Sequence, residues 1–256
     1  MKVKTFVKIA VCGFSVLMIA CSSIDTAAIE NKVDSYHSGY QEGSLLDSFF
    51  KQDDFDTSTH SGFFPLKRGH DAFLARLALI ESAEVSLDLQ YYIYREDETG
   101  QLLTWRLYEA AQRGVKVRLL LDDFQKRSDR SLARLNAHPN IEVRLFNPNQ
   151  FRSVRGVGMA TDFERLNRRM HNKSLTADTV ASIVGGRNVG NEYFSFSSAV
   201  EFGDLDLLLY GNTVEQIADQ FDLYWNSDFA VPVEAFEPNV TARTDEEVQA
   251  WLLNPG

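Results

Sequence analysis

Helical and strand patterns alternate along most of this chain, and this alternation limits the folds that it can adopt. The helical patterns cover residues 70–83, 101–114, 128–138 and 213–226, and the strand patterns cover 85–94, 115–123, 141–146, 169–178, 179–184 and 202–210. The strand at 115–123 becomes increasingly apolar towards its end, as expected of a strand that helices cover on both sides. The sequence therefore predicts an α/β fold in which helices cover both faces of one sheet.

The chain begins with a segment typical of export. Three lysines precede an apolar run that is too short to span a bilayer comfortably, and Ala20 and Cys21 follow it. Residues 1–20 resemble a bacterial lipoprotein signal peptide, in which the lipidated cysteine becomes the mature N-terminus. An ordinary cleaved signal and an uncleaved membrane anchor are the alternatives. Because Ser22 follows Cys21, the resemblance implies the cell envelope, with the protein facing the periplasm and sorted to the outer membrane.

The remaining chain divides into three regions by composition. Residues 21–60 are rich in Ser, Asp, Thr and Gly, which predicts a polar tether. Residues 61–231 contain the regular patterns and are expected to form the domain, and residues 232–256 form a tail with a short capped helix at 244–253. Cys12 leaves with the signal and Cys21 carries the lipid, so we expect no disulfide.

The longest interruption of the pattern, residues 147–170, carries a local excess of arginine. Its charged residues are Arg152, Arg155, Arg165, Arg168 and Arg169 against Asp162 and Glu164. A salt-bridged, solvated surface is one interpretation. The position of the loop directly before the motif described next favours the other, an anion-binding loop.

The most informative stretch is MHNKSLTADTVASIVGGRN, residues 170–188. Side chains two apart on a strand face the same side, so His171 and Lys173 are expected to share a pocket. An imidazole can serve as nucleophile or general acid/base, and an ammonium can hold a phosphate oxygen. A histidine on a strand is more often structural, but the spacing to Lys173 and to Asp178 favours phosphoryl chemistry.

The second half of this stretch adds groups suited to an anion. Asp178 ends the first strand, and the next strand leads to Gly185 and Gly186, whose missing side chains allow close approach of a bound group. Asn188 can donate a hydrogen bond to a phosphate oxygen.

The pattern His171-x-Lys173-x4-Asp178-x6-Gly185-Gly186-x-Asn188 resembles the HKD motif of the phospholipase D superfamily. The strings GHDAFLARLALIESAEVSLDLQYYIY, VKVRLLLDD, DLDLLLYG and FDLYWNS are similar to the bacterial cardiolipin-synthase-like branch, so the likeness covers about residues 61–230. It implies an α/β/α sandwich around a mixed sheet and a reaction without metal or cofactor.

The resemblance also implies roles for individual residues. His171 would attack the phosphorus and form a phosphohistidine, while Lys173 and Asn188 hold the non-bridging oxygens. Asp178 would support the pocket, and either Asp204 or Asp206 would orient His171. The substrate would be a membrane phospholipid, and an alcohol or water would accept the phosphatidyl group.

The reaction of this superfamily needs two HKD motifs, and this chain of 256 residues contains one. Three interpretations follow: a phosphatidyltransferase or phospholipase D completed as a homodimer, an incomplete half that needs a separate C-terminal HKD partner, or an exported nuclease-type phosphodiesterase. The net charge of −10 disfavours nucleic acid as a partner.

Overall fold

The computed structural model describes residues 24–51, 56–125, 127–197, 199–241, 244, 246–248 and 250. Within these residues, the strands are β1 Ser61–Leu66, β2 Ser86–Tyr91, β3 Lys116–Asp122, β4 Ile141–Phe146, β5 Ser174–Ala177, β6 Ala181–Gly185, β7 Asp206–Gly211 and β8 Ala230–Pro232. They form one sheet in the order β1-β7-β6-β5-β2-β3-β4-β8. β2, β3 and β4 are parallel, whereas every other pairing is antiparallel, so the predicted mixed sheet is confirmed.

Helices pack on both faces of the sheet. The helices are α1 Thr26–Glu30, α2 Leu45–Phe50, α3 Gly69–Ser82, α4 Glu98–Gln112, α5 Asp129–Asn136, α6 Arg155–Thr161, α7 Phe163–Leu166 and α8 Thr213–Trp225. Side chains on β3 alternate between two cores: Leu119 and Leu121 belong to the core that includes α3 and α4, and Leu120 packs with α8. The predicted coverage of both faces is therefore confirmed.

Local signals explain where the long helices begin and end. The side chain of Asp97 accepts a hydrogen bond from the backbone N–H of Gly100 at 3.1 Å and caps α4. Ser128 caps α5 in the same way through Ser131. α4 ends beside Gly114, whose φ of 99° lies in the region that favours glycine.

The α8 face of the sheet contains two buried arginines. Arg118 pairs with both carboxylate oxygens of Asp88, at 2.7 and 2.8 Å, and with Asp222 at 2.8 Å. Arg144 donates to the carbonyl of Trp225 at 2.8 Å, and its guanidinium lies over that indole ring. Burial of these cations requires such partners, because an unpaired guanidinium is costly to desolvate.

An N-terminal strap, residues 24–44, supplies further partners to this face. Arg118 donates to the carbonyl of Ser35 at 2.9 Å, and Arg144 donates to the carbonyl of Val33 at 2.7 Å. The indole N–H of Trp225 donates to the Ser35 hydroxyl at 2.9 Å. The prediction of a polar tether over 21–60 is therefore wrong for residues 24–44, because their backbone carbonyls satisfy buried donors of the domain.

The structure contains further short elements that the sequence pattern did not predict. The edge strand β1 and the three-residue β8 carry little periodicity, and the loop at 147–170 contains α6 and α7. The signal peptide and Cys21 lie outside the described residues, as do most of the residues after 241. In the portion of the chain that the structure describes, no helix has both the length and the apolar character needed to cross a membrane.

Candidate active site

Strand direction brings the predicted residues to one edge of the sheet, which we call the site edge. It is the edge at which the parallel strands β2, β3 and β4 end. Since β5 is antiparallel to β2, it begins at this edge; β6 ends there and β7 begins there. His171 and Lys173 therefore lie at the same edge of the sheet as Asn188 and Asp204.

His171 and Lys173 lie together although they precede the regular strand, which begins at Ser174. The imidazole of His171 stacks on the ring of Tyr92, with the ring centroids 4.0 Å apart and the planes 24° from parallel. The ammonium of Lys173 lies 5.3 Å from the centroid of the same ring and donates to the carbonyl of His171. Both side chains thus face one shared space, as the spacing predicts.

Asp122, at the end of β3, holds the backbone around this pair. Its carboxylate accepts the N–H of Met170 at 2.8 Å and the N–H of Phe124 at 2.7 Å, and it pairs with Arg169 at 3.1 Å. Burial raises the pKa of Asp122, while Arg169 and these N–H groups act in the opposite direction. Our sequence interpretation missed this residue, although an aspartate that ends an apolar strand is a usable signal.

The two glycines make room for two aspartates, Asp206 at the start of β7 and Asp204 just before it. A Cβ on Gly185 would lie 2.1 Å from a carboxylate oxygen of Asp206, and a Cβ on Gly186 would lie 2.3 Å from one of Asp204. The sequence predicted that these glycines admit a bound group. In the structure, the space that their missing side chains leave is occupied by the protein's own carboxylates.

Asn188 is buried and held at one end of its amide. Its Oδ1 accepts the backbone N–H of Ile93 at 2.9 Å, and the side chain also bonds to the hydroxyl of Tyr193. Burial raises the pKa of that hydroxyl, so it stays protonated. With Oδ1 occupied and one amide N–H directed at Tyr193, the second N–H of the amide is what Asn188 can offer to an anion.

Asp204 and Asp206, the two alternatives for orienting His171, have different surroundings in the structure. Asp206 is fully buried and pairs with Arg76 at 2.9 Å and with Arg187 at 3.5 Å. Its other oxygen accepts the backbone N–H of Arg187 at 3.1 Å, which fixes the turn before Asn188. Asp204 is only partly buried, and its charge acts on Lys173. Asp204 therefore stays the candidate for a role at the site edge, whereas the carboxylate of Asp206 is engaged by Arg76 and Arg187.

Asp178 lies at the opposite edge of the sheet from His171. It is fully buried at the turn between β5 and β6, and its carboxylate accepts the backbone N–H groups of Glu84, Val85 and Ser86 at 2.8–2.9 Å. These bonds fix the start of β2. The structure does not bring Asp178 to the pocket that the resemblance implies it supports.

Replacing Asp178 by asparagine is therefore expected to lower the free energy of unfolding by about 2–3 kcal/mol, because an amide nitrogen would face buried N–H donors. Turnover per folded molecule is expected to stay within twofold of the wild type. Urea unfolding and an activity assay normalised to folded protein check this, with the exposed Asp71→Asn as control. A large loss of turnover in a stable Asp178→Asn variant would contradict it.

Lys173 is expected to lose its charge at a lower pH than an exposed lysine. Burial lowers its pKa, while the nearby carboxylates of Asp204 and Asp122 raise it. The ammonium is present at low pH and is lost as the pH rises through this lowered pKa, so phosphate binding should weaken on the alkaline side. The Asp204→Asn substitution removes a negative charge that raises the pKa of Lys173. The pH at which phosphate binding weakens should therefore be lower in this variant.

The measurement is the pH dependence of the binding of inorganic phosphate by calorimetry. Glu215→Gln, an exposed position on α8, makes the same change in net charge and serves as control. Equal midpoints in Asp204→Asn and Glu215→Gln would show that Asp204 does not act on Lys173.

The arginines of the 147–170 loop are all engaged with carboxylates. The pairs are Arg152 with Asp123 and Asp129, Arg155 with Asp123, Arg165 with Asp162, Arg168 with Glu164, and Arg169 with Asp122. The salt-bridged interpretation is therefore confirmed, and anion binding by this loop stays a prediction. Among the described residues, no cluster of three or more His, Cys, Asp or Glu side chains could hold a metal ion.

A sheet of this topology with a histidine–lysine pair and an asparagine at one edge indicates a phosphoryl-transfer protein of the phospholipase D type. The family model described as cardiolipin synthase, PLD-like domain, matches residues 77–225. The chain therefore belongs to the cardiolipin synthase branch of the phospholipase D-like family.

A sequence relative agrees with this assignment, and two solved structures share the fold. Cardiolipin synthase C of Escherichia coli K12 is 52% identical over 174 residues, which cover 68% of this chain and 37% of that protein. NucT from Helicobacter pylori has a TM-score of 0.50 at 16% identity and covers 68% of this chain and 98% of that chain. The phosphatidylserine synthase of Haemophilus influenzae Rd KW20 also has a TM-score of 0.50 at 16% identity, with coverages of 75% and 42%. The match spans little more than a third of the E. coli relative, and the two structures support the fold alone.

Proposed function

We propose that this protein transfers phosphatidyl groups between membrane phospholipids and alcohols, as a cardiolipin synthase does, through a phosphohistidine on His171. The observation that carries the proposal is that His171 and Lys173 contact the same Tyr92 ring at the edge of the sheet where Asn188 also lies. A nucleophile, a cation and an amide donor are what an in-line displacement at a phosphodiester requires.

Each step of the proposed reaction can be written on these residues. A neutral ring nitrogen of His171 forms a bond to phosphorus, and the bond from phosphorus to the headgroup oxygen breaks. The headgroup alcohol leaves with a proton supplied by a general acid. Lys173 and Asn188 stabilise the charge that builds on the non-bridging oxygens. An acceptor alcohol, or water, then attacks the phosphohistidine, loses its proton to the same acid–base group and frees His171.

A second HKD half is the proposed source of that general acid. The other four histidines of the chain, His37, His60, His70 and His138, have no lysine two residues on. The E. coli relative is much longer than the matched region, which leaves room there for a second half. We propose as that half either a second copy of this chain, with two His171 side chains in one site, or a C-terminal half with an HKD motif of its own.

We also propose that lipidated Cys21 anchors the protein in the outer membrane, facing the periplasm, where phospholipid is at hand. The basic and apolar signal followed by Cys21 and Ser22 supports this. Inhibition of lipoprotein signal processing is expected to leave a larger precursor in cells. An unchanged precursor size would show that Cys21 is not the lipidation site.

The function is tested by light scattering and turnover in the same sample of the full chain in detergent. Release of glycerol from phosphatidylglycerol micelles by a dimer, and not by dimeric His171→Ala, would support a site shared by two copies. A monomer without turnover would show that a second copy does not complete the site, and candidate C-terminal halves would then be added to the sample. Turnover of DNA in place of phospholipid would refute the proposal in favour of a nuclease.

A further inference from the structure

One face of the His171 imidazole packs against the ring of Tyr92. Tyr92 stacks on it with the centroids 4.0 Å apart and the planes 24° from parallel. No hydrogen bond joins either ring nitrogen of His171 to another described residue, so the contact with Tyr92 restrains the ring while both nitrogens stay available. One nitrogen can then face phosphorus and the other an orienting group.

Tyr92 is also stacked with a second ring. The ring of Phe124 lies 5.3 Å from that of Tyr92, and the two planes are 23° from parallel. The side chain of Phe124 is 61% exposed. Phe124, Tyr92 and His171 therefore form a three-ring stack in which Tyr92 is the shared member.

Asp122 connects the two outer members of this stack through their backbone. One carboxylate oxygen accepts the N–H of Phe124 at 2.7 Å, and the other accepts the N–H of Met170, the residue before His171, at 2.8 Å. The buried carboxylate of Asp122 thus fixes the distance between the backbone at Phe124 and the backbone just before His171. Because the backbone on both sides of the stack is held by Asp122, the rotation of the His171 imidazole is restricted.

We propose that Tyr92 is the positioning residue of His171 and that the three-ring stack presets the plane of the imidazole. This inference rests on the proposed role of His171 as the nucleophile. The torsion that turns an imidazole has broad minima, so a face contact is needed to hold one orientation. In-line attack tolerates little misalignment of the nucleophile. Tyr92 contacts His171 through its ring and not through its hydroxyl, so phenylalanine at position 92 should hold the imidazole equally well.

The test is histidine-selective ¹³C NMR of the full chain in detergent, with the His171 signal assigned by its loss in His171→Gln. Tyr92→Leu should move the His171 ring signal downfield, because the shielding of the stacked ring is lost, and leave the signals of the other histidines in place. Tyr92→Phe should retain the wild-type position. In the assembled enzyme, Tyr92→Leu should lower kcat about 10²-fold with KM nearly unchanged.

Each outcome decides the inference. An unmoved His171 signal in folded Tyr92→Leu, or a moved signal with an unchanged kcat, overturns it. If Tyr92→Leu does not fold, Phe124→Leu removes an exposed outer ring and should still shift the His171 signal; no shift there overturns the stack. A moved signal in a protein whose turnover survives His171→Gln would refute the proposed function and leave the stack itself in place.

Discussion

Replacing His171 by asparagine is expected to lower the proposed phosphatidyl transfer by about 10⁴-fold or more, because the proposed nucleophile of the covalent intermediate is lost. The fold should survive, since His171 is exposed and its ring contact is with Tyr92 alone among the described residues. The measurement is release of glycerol from phosphatidylglycerol by the assembled enzyme, together with trapping of acid-labile phosphate on the protein.

The matched control is His70→Asn, an exposed histidine on α3 whose ring packs against Phe196. We expect this variant to retain wild-type turnover and labelling. Residual turnover above about 1% in a folded His171→Asn variant would contradict a nucleophilic role. Labelling of His171→Asn with phosphate would assign the intermediate to another residue.

Replacing Asp206 by asparagine is expected to cost about 3–5 kcal/mol of unfolding free energy. Asp206 is fully buried and neutralises part of the charge of Arg76 and Arg187, so its loss leaves two guanidinium groups in the core without a counter-charge. The amide can still accept one hydrogen bond, but it carries no charge. Urea or thermal unfolding followed by circular dichroism gives the difference directly.

Asp71→Asn is the control for this measurement. Asp71 pairs with Arg68 at 3.9 Å on the surface, and both side chains are at least half exposed. Exposed pairs of this kind contribute little, so we expect a change below about 0.5 kcal/mol. A similar small change in Asp206→Asn would mean that Arg76 and Arg187 find other partners.

The long elements of the fold were predictable because their periodicity reports burial. α3, α4, α8 and the strands β2 to β4 carry apolar residues at helical or strand spacing, and the structure places them where the sequence predicted. The strap was not predictable, since its contacts run from backbone carbonyls of Val33 and Ser35 to arginines more than 80 residues away. No spacing of side chains encodes such a contact.

The site was predictable to the extent that it lies on one hairpin. His171, Lys173 and Asn188 come together because β5 and β6 are neighbours in both sequence and space. Tyr92 and Asp122 reach the site from earlier parallel strands, which requires knowledge of strand order. Asp178 stands within the same motif, but the hairpin turn carries it to the far edge of the sheet.

The strap also sets how far the protein could reach from a membrane. Ile24 lines a surface pocket with Asn147 and Pro148, which follow β4 at the site edge. Three residues of chain span at most about 10 Å, whereas a flexible segment of 40 residues would average about 35 Å. A lipid on Cys21 would therefore keep the site edge beside the leaflet that holds the anchor. Such an enzyme would draw both donor and acceptor from that leaflet and could not sample the opposite membrane.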